Sequence, residues 1–342
     1  MRKLTSFFFL SFVVVASVSA GDGSISGKSY FDYMYNTDSD AAISNQFEIS
    51  RVYFTYKKKL YNDIKFRFTT DVGRISETYY TYRATTNDNG DITGIVGSKH
   101  KSKERLHVYV KYAYLDWKVK PIGTLILGQQ GMNYFNIEEA NWGLRFVEKA
   151  PMDRLKMATS ADMGIGFKRE LIDNLHLHAT YVHGTGYKHP EDNSEKKIGV
   201  QLLYGQHKLI KKDGFNVGTT ITIEPYDGEN TQTIAAFGGF ARSGLRIGGE
   251  FDIKKSSEID SREQVMAVYF AYKVVDKFTV FSRADIYDPN TETNDDCNTY
   301  IIAGIDYSVS KGFRIAPNIR YKSYQDGSDS EMLIKMNFEF KF

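Results

Sequence analysis

Cysteine occurs once in this 342-residue chain, at Cys297, so no disulfide framework can staple the fold. Proline is scarce as well, at 6 residues. Beyond the N-terminal segment no apolar run approaches ~18 residues, which excludes a helical membrane protein. An excess of one charge is also missing: the net charge is +2, and without Arg2 and Lys3 the basic and acidic residues balance at 42 each. A nucleic-acid binder carries a basic surplus, so nucleic acid is not an expected partner. The chain has no low-complexity linker and no internal domain boundary. It also lacks a G-x-S-x-G elbow, a zinc-binding H-E-x-x-H and a phosphate loop, so no enzyme and no cofactor are expected.

What is abundant is strand chemistry, with 24 Tyr and 23 Phe. The last stretch, Ser330–Phe342, alternates throughout. Met332, Ile334, Met336, Phe338, Phe340 and Phe342 share one face, and Leu333, Lys335, Asn337, Glu339 and Lys341 share the other. A soluble protein gains little by exposing three phenylalanines at its end, whereas a lipid-facing strand uses them. At the other terminus, Met1-Arg2-Lys3, an apolar run from Phe7 to Val18 and the small residues Ser19-Ala20 describe a cleavable signal peptide over 1–20. The expected product is one barrel domain over 21–342.

The alternation recurs at about 25–35, 46–57, 63–75, 105–118, 123–130, 162–170, 175–186, 196–207, 214–224, 231–241, 244–254, 263–273, 277–287, 298–308, 312–323 and 331–342. This is an all-β chain of about sixteen strands, each near the ~9–11 residues that cross a bilayer at a tilt. In the third, Ile64, Phe66, Phe68, Thr70 and Val72 face one way, and Lys65, Arg67, Thr69, Asp71 and Gly73 the other. In the fourth, Leu106, Val108, Val110, Tyr112 and Tyr114 are expected outward, with His107, Tyr109, Lys111 and Ala113 inward. A Lys or Arg facing hydrocarbon costs roughly 2–4 kcal/mol, so the charged faces are expected to line water. Connections sort by length: short at 61–63, 118–123, 171–174, 242–244, 274–277 and 308–312, long or polar at 76–104, 131–161, 188–195, 255–261 and 288–297. That sorting is the topology of a transmembrane antiparallel β-barrel of the bacterial outer membrane, with tight turns in the periplasm. The last strand must pair with the first, because open edges do not persist in lipid.

The connection 131–161, third of the external loops, is rich in apolar residues, among them Tyr134, Phe135, Trp142, Phe146 and Val147. It is expected to fold into the lumen and narrow it. Its charges, Glu138, Glu139, Glu148 and Asp153 against Arg145, Lys149, Arg154 and Lys156, then set the constriction. On the strands, Lys65, Arg67, Lys111, Arg246, Arg283, Arg314, Arg320, Lys322 and Lys335 read as lumen-facing, alongside Asp71, Glu250, Asp252, Asp285 and Glu339. Nine basic against five acidic residues predict a mild anion preference. His176 and His178 share a strand face but have no third ligand in sequence, so no metal site is predicted. The loop from Asp288 to Asp295 alternates oxygen ligands, without the glycine or closing carboxylate of a calcium loop.

Three stretches, Phe47–Arg74, Leu127–Ala150 with its Phe146-Val147-Glu148-Lys149 segment, and Phe281–Asn290, resemble the phosphate-selective porin O and P family. The resemblance implies a passive channel, often a homotrimer, embedded among outer-membrane lipid and lipopolysaccharide, with basic residues drawing small anions, phosphate among them, through the pore. The family's phosphate selectivity depends on a ladder of arginines and a lysine cluster that do not map onto this chain residue by residue: Arg314, Arg320 and Lys322 share a strand face that Ala316 and Asn318 interrupt. A plugged barrel with an adhesive or structural role is the alternative, and an outer-membrane hydrolase has only unplaced Ser, His and Asp residues behind it.

Overall fold

Alternating side chains close on themselves as a barrel in the computed structural model, which describes residues 23–75, 78–86, 92–101, 105–226, 229–257 and 261–342. The expected signal peptide lies outside the described residues. The strands are β1 (Gly23–Asn36), β2 (Asn45–Tyr61), β3 (Ile64–Ile75), β4 (Thr78–Thr86), β5 (Ile92–Lys101), β6 (Arg105–Val119), β7 (Gly123–Gly131), β8 (Ala161–Ile172) and β9 (Leu175–Val182). They continue as β10 (Lys197–Gly205), β11 (Gly214–Tyr226), β12 (Glu229–Arg242), β13 (Leu245–Ser256), β14 (Ser261–Val275), β15 (Phe278–Asp288), β16 (Asn298–Ser310), β17 (Phe313–Tyr324) and β18 (Glu331–Lys341). Sixteen of them form the closed antiparallel barrel. The other two, β4 and β5, pair as a separate hairpin within the segment 76–104 that sequence patterning reads only as a loop.

Closure runs through β18. It pairs with β1 from Lys28↔Lys341 to Asn36↔Leu333, and Gly27 and Phe342 exchange backbone hydrogen bonds of 3.1 and 3.2 Å. Met332, Ile334, Met336, Phe340 and Phe342 lie exposed on the outer face, and Phe338 stacks on Phe31 with centroids 4.6 Å apart. The opposite face is ion-paired: Lys335 Nζ lies 2.7 Å from Asp32 Oδ1, and Glu339 accepts from Arg314. The register runs without a shift from Lys28 to Asn36, so the barrel has no open edge at this seam, as lipid requires.

One expected face is wrong. Tyr112 and Tyr114 line the lumen, and Ala113 pairs with outward Phe68. The cause is a β-bulge: Thr69 pairs with Tyr112 and Thr70 with Val110, leaving Lys111 as the extra residue. A bulge shifts the two-residue period by one, so Lys111 and Tyr112 both point inward and every later residue of β6 changes side.

The segment between β7 and β8 contains two short helices, α1 (Asn136–Trp142) and α2 (Pro151–Arg154). Gly143 ends α1 at φ 69°, donating its N–H to Glu139 O, a left-handed cap that favours glycine. Pro151 opens α2, where its missing N–H costs nothing.

Candidate functional site

The loop between β7 and β8, hereafter L3, packs on the inner wall through three apolar seams, the smallest of which joins Ile137 to Leu203 and Phe237. Trp142, Leu144, Phe146 and Val147 meet Tyr30, Tyr269, Ala271, Phe281, Ile302 and Ala316. Met132, Tyr134, Phe135, Met152 and Met157 meet Val182, Ala235 and Val265. Trp142 is 1% exposed and stands edge-on to Tyr269 and Phe281, with centroids at 6.0 and 5.9 Å. Small wall residues make the room. A Cβ on Gly199 would come within 2.7 Å of the Tyr134 ring, so the loop approaches the β10 backbone itself.

Polar contacts tie L3 to β13 and to β15–β17. Arg320 donates to Glu148 Oε2 at 2.6 Å and to Val147 O at 2.5 Å, and Tyr300 Oη donates to the same carboxylate at 3.1 Å. Burial alone would push the Glu148 carboxyl up, but Arg320, Arg283 and Arg154 hold it down at about 2. Arg283 grips Asp285 with two bonds of 2.7 and 2.6 Å and donates to Lys149 O at 2.6 Å. Arg154 lies 3.0 Å from Asp285 and over the Tyr300 ring, while Arg246 donates to Trp142 O at 2.9 Å. Arg314 pairs with Asp306 and Glu339 and lies over Phe146, 4.4 Å from its centroid.

The remaining loop charges divide. Arg145 pairs with Glu139 and, at 2.8 Å, with Asp153. Burial would raise the Asp153 carboxyl, but Arg145 and Lys149 hold it below the usual range. Lys156 is exposed at φ 62°. Glu138 is buried at 2% exposure with neither oxygen hydrogen-bonded; Glu250 Oε2 and both Asp252 oxygens are unpartnered too. Burial, then the neighbouring Asp252, push the Glu138 carboxyl well above the usual range.

Open space remains between L3 and the opposite wall. Two cavities of about 390 and 430 Å³ share Arg67, Lys111, Tyr112, Glu139, Arg145 and Lys208 in their linings. Lys28 and Lys57 add to the first, and Lys168 to the second. Arg67 lies over Tyr112, 4.3 Å from the ring centroid, and Lys111 sits 3.8 Å from Asp71 with its ammonium over Tyr53. Lys65 lies in a cleft with Lys57 and Lys59 beside the tight-turn rim, and Lys322 stacks on Tyr324 near the other rim.

The nine strand cations singled out from sequence therefore do different things. Arg246, Arg283 and Arg320 hold L3 backbone carbonyls, Arg314 and Lys335 are ion-paired on the wall, and Arg67 and Lys111 face the open lumen. Lys28, Lys57, Lys168 and Lys208 were missed. The first two were legible, since Lys57 is in phase with Tyr53 and Thr55, and Lys28 with Tyr30 and Asp32. Lys208 lies in the turn between β10 and β11, where no period predicts direction. Among the described residues Lys28, Lys57, Arg67, Lys168 and Lys208 form no ion pair, which leaves a basic wall facing a loop whose own charges are largely paired.

Known proteins locate this architecture. The family model of phosphate-selective porin O and P matches residues 25–282. No curated protein is significantly similar. Among solved structures, OmpF of Salmonella typhi in complex with daunomycin aligns at TM-score 0.63 and 12% identity, over 93% of this chain and 97% of that one. OmpT of Vibrio cholerae aligns at 0.62 and 12%, over 94% and 97%. An anion-selective porin from Comamonas acidovorans aligns at 0.60 and 12%, over 94% and 99%. At these identities the structural likeness is one of fold. The family match over three quarters of the sequence and the closed sixteen-stranded barrel together make this chain a member of the phosphate-selective porin O and P family, a channel of the bacterial outer membrane.

Proposed function

We propose that the protein is a passive diffusion porin for small hydrophilic solutes with a mild preference for anions, narrowed by L3. The observation that carries this reading is the uncompensated basic wall of Lys28, Lys57, Arg67, Lys168 and Lys208 beside the cavities that L3 leaves open. Fixed cations in a confined aqueous path raise the local anion concentration and lower that of cations. L3 itself adds little net field, because Arg145 is spent on Glu139 and Asp153, and Glu148 on Arg320. A phosphate or other polyanion is the kind of solute that several such cations recognise together. The trimer form of Vibrio cholerae OmpT and the family resemblance support a homotrimer as the assembly.

The test is reconstitution of the chain in planar bilayers under a salt gradient. Discrete conductance steps with a reversal potential of the anion-selective sign are expected. Absence of steps would instead favour the plugged barrel, and a cation-selective potential would remove the basic wall from the argument.

A further inference from the structure

Helix α1 docks on β12 and β13. Ile137 packs on Leu203 and Phe237, and Asn141 exchanges two hydrogen bonds with Asn216, at 2.8 and 2.9 Å. Between these contacts the helix presses Glu138 onto the wall beside Asp252 and Glu250. All three carboxyls are buried, and neither oxygen of Glu138, neither oxygen of Asp252 and not Oε2 of Glu250 has a hydrogen-bond partner among the described residues. The Thr233 hydroxyl on β12, diagonal to Asp252 across the ladder, has none either. The neighbouring cations are committed elsewhere. On β15 Arg283 bonds Asp285 and Lys149 O, and on α2 Arg154 bonds the same Asp285. On β13 Arg246 bonds Trp142 O and Lys254 pairs with Glu263, while on L3 Arg145 pairs with Glu139 and Asp153. From β14 the group facing Glu138 and Glu250 is the phenol of Tyr269.

Three ionised carboxylates cannot share such a place, because gathering like charges away from water costs more than keeping a proton. The amides of Ile137 and Glu138 favour the ionised form of Glu138, but burial and Asp252 outweigh them. A protonated carboxyl is also a donor, so it supplies a neighbouring carboxyl oxygen with the partner it lacks. We propose that Glu138, Glu250 and Asp252 form a latch that fastens L3 to the wall while they share protons and releases it when they ionise, making the constriction a pH-controlled gate. The gate rests on the reading of L3 as the element that narrows a conducting pore; the latch does not need conduction. A detached Glu138 ionises near the ordinary carboxylate value, whereas the docked one keeps its proton to higher pH. Docking therefore takes up protons, and above about pH 4.5 it weakens by about tenfold per pH unit for each proton taken up, until the docked group itself ionises. The Glu148 anchor titrates in the opposite sense, so L3 is held most tightly in mild acid. Release exposes three carboxylates to the lumen, so the open state is both wider and less anion-selective.

The experiment compares refolded wild type with Glu138→Gln, each checked for folding by heat-modifiable migration. Both are digested with proteinase K, and the ratio of their L3 cleavage rates is taken at each pH, which cancels the protease's own profile. The ratio of wild type to variant is expected near one at about pH 5, where an amide replaces a protonated carboxyl, and to climb by roughly tenfold per unit towards about pH 8. Asp252→Asn, which removes the neighbouring charge, is expected to flatten the climb, and it carries the same comparison if Glu138→Gln does not fold. In bilayers, wild type should pass reversibly to higher conductance and lower anion selectivity between about pH 5 and pH 9, while Glu138→Gln keeps its low-pH conductance. A ratio that stays constant across this range, or climbs equally for a variant outside the cluster such as Thr219→Val, overturns the latch. A climbing ratio in a barrel that does not conduct overturns the channel reading and leaves the latch standing.

Discussion

Replacing Glu148 by Gln removes the charge at the centre of the L3 anchor while preserving its shape. In the native chain that carboxylate accepts from Arg320 at 2.6 Å, Tyr300 at 3.1 Å and its neighbour's amide, Lys149 N, at 3.0 Å. Both ion-pair partners are largely shielded, at 14% exposure for Glu148 and 7% for Arg320, so solvent screening is weak. The Glu148 carboxyl is held at about 2 instead of an ordinary 4.5, which corresponds to about 3 kcal/mol of anchoring at neutral pH. Because the attached-loop value is the depressed one, this contribution is complete above about pH 4.5 and disappears as pH falls through about 2. Glu148→Gln is therefore expected to raise the population of detached L3 on the order of a hundredfold at pH 7. Limited proteolysis of the refolded barrel reads this as cleavage within L3, and single-channel recording reads it as added gating noise. Wild type should approach the variant's behaviour only on acidification below pH 4, while the variant changes little over the same range. An unchanged L3 cleavage rate in the variant at pH 7, or a wild-type transition centred near neutrality, would refute the assignment of Glu148 as the anchor.

Other expectations follow from the same geometry. Trp142→Ala empties a fully buried site between Tyr269 and Phe281, so it should destabilise the loop by about 3–5 kcal/mol and increase mean conductance in bilayers. Glu138 behaves oppositely to Glu148: its carboxyl is raised by burial, so its neutral form supports the fold at low pH and that support is lost as pH rises towards its elevated value. Glu138→Gln should accordingly make L3 more resistant to proteolysis than wild type at pH 9, with no gain at pH 4. Charge reversal of the basic wall by Lys57→Glu with Lys208→Glu should lower the chloride-to-potassium permeability ratio by about threefold or more, read from the reversal potential. Deleting Phe342 removes the two backbone bonds to Gly27 at the barrel seam, and its yield of heat-modifiable folded barrel should fall under conditions where wild type refolds.

The barrel was legible because a two-residue period under a lipid boundary leaves little freedom. Each charged residue in β3 or β18 has only two directions, and hydrocarbon rejects one of them. The first-to-last pairing follows equally from the intolerance of lipid for an open edge. The apolar packing of L3 was legible because Trp142, Phe146 and Val147 need an apolar surface, and Tyr269, Phe281 and Ile302 supply it. Its partners were not legible, since no period links a loop residue to a strand some hundred positions away. Arg283 and Arg320 look alike in sequence to any pore-lining arginine, yet each spends donors on an L3 carbonyl.

By itself the sequence determined a membrane barrel of sixteen strands and its one long apolar loop, because both rest on local alternation and segment length. Tertiary structure alone decided which cations line open cavities and which hold the loop. It also decided that a bulge at Lys111 turns Tyr112 and Tyr114 inward, and that His207 meets His176. Those outcomes depend on register between neighbouring strands and on the path of turns and loops, and neither is encoded in the period of any single strand.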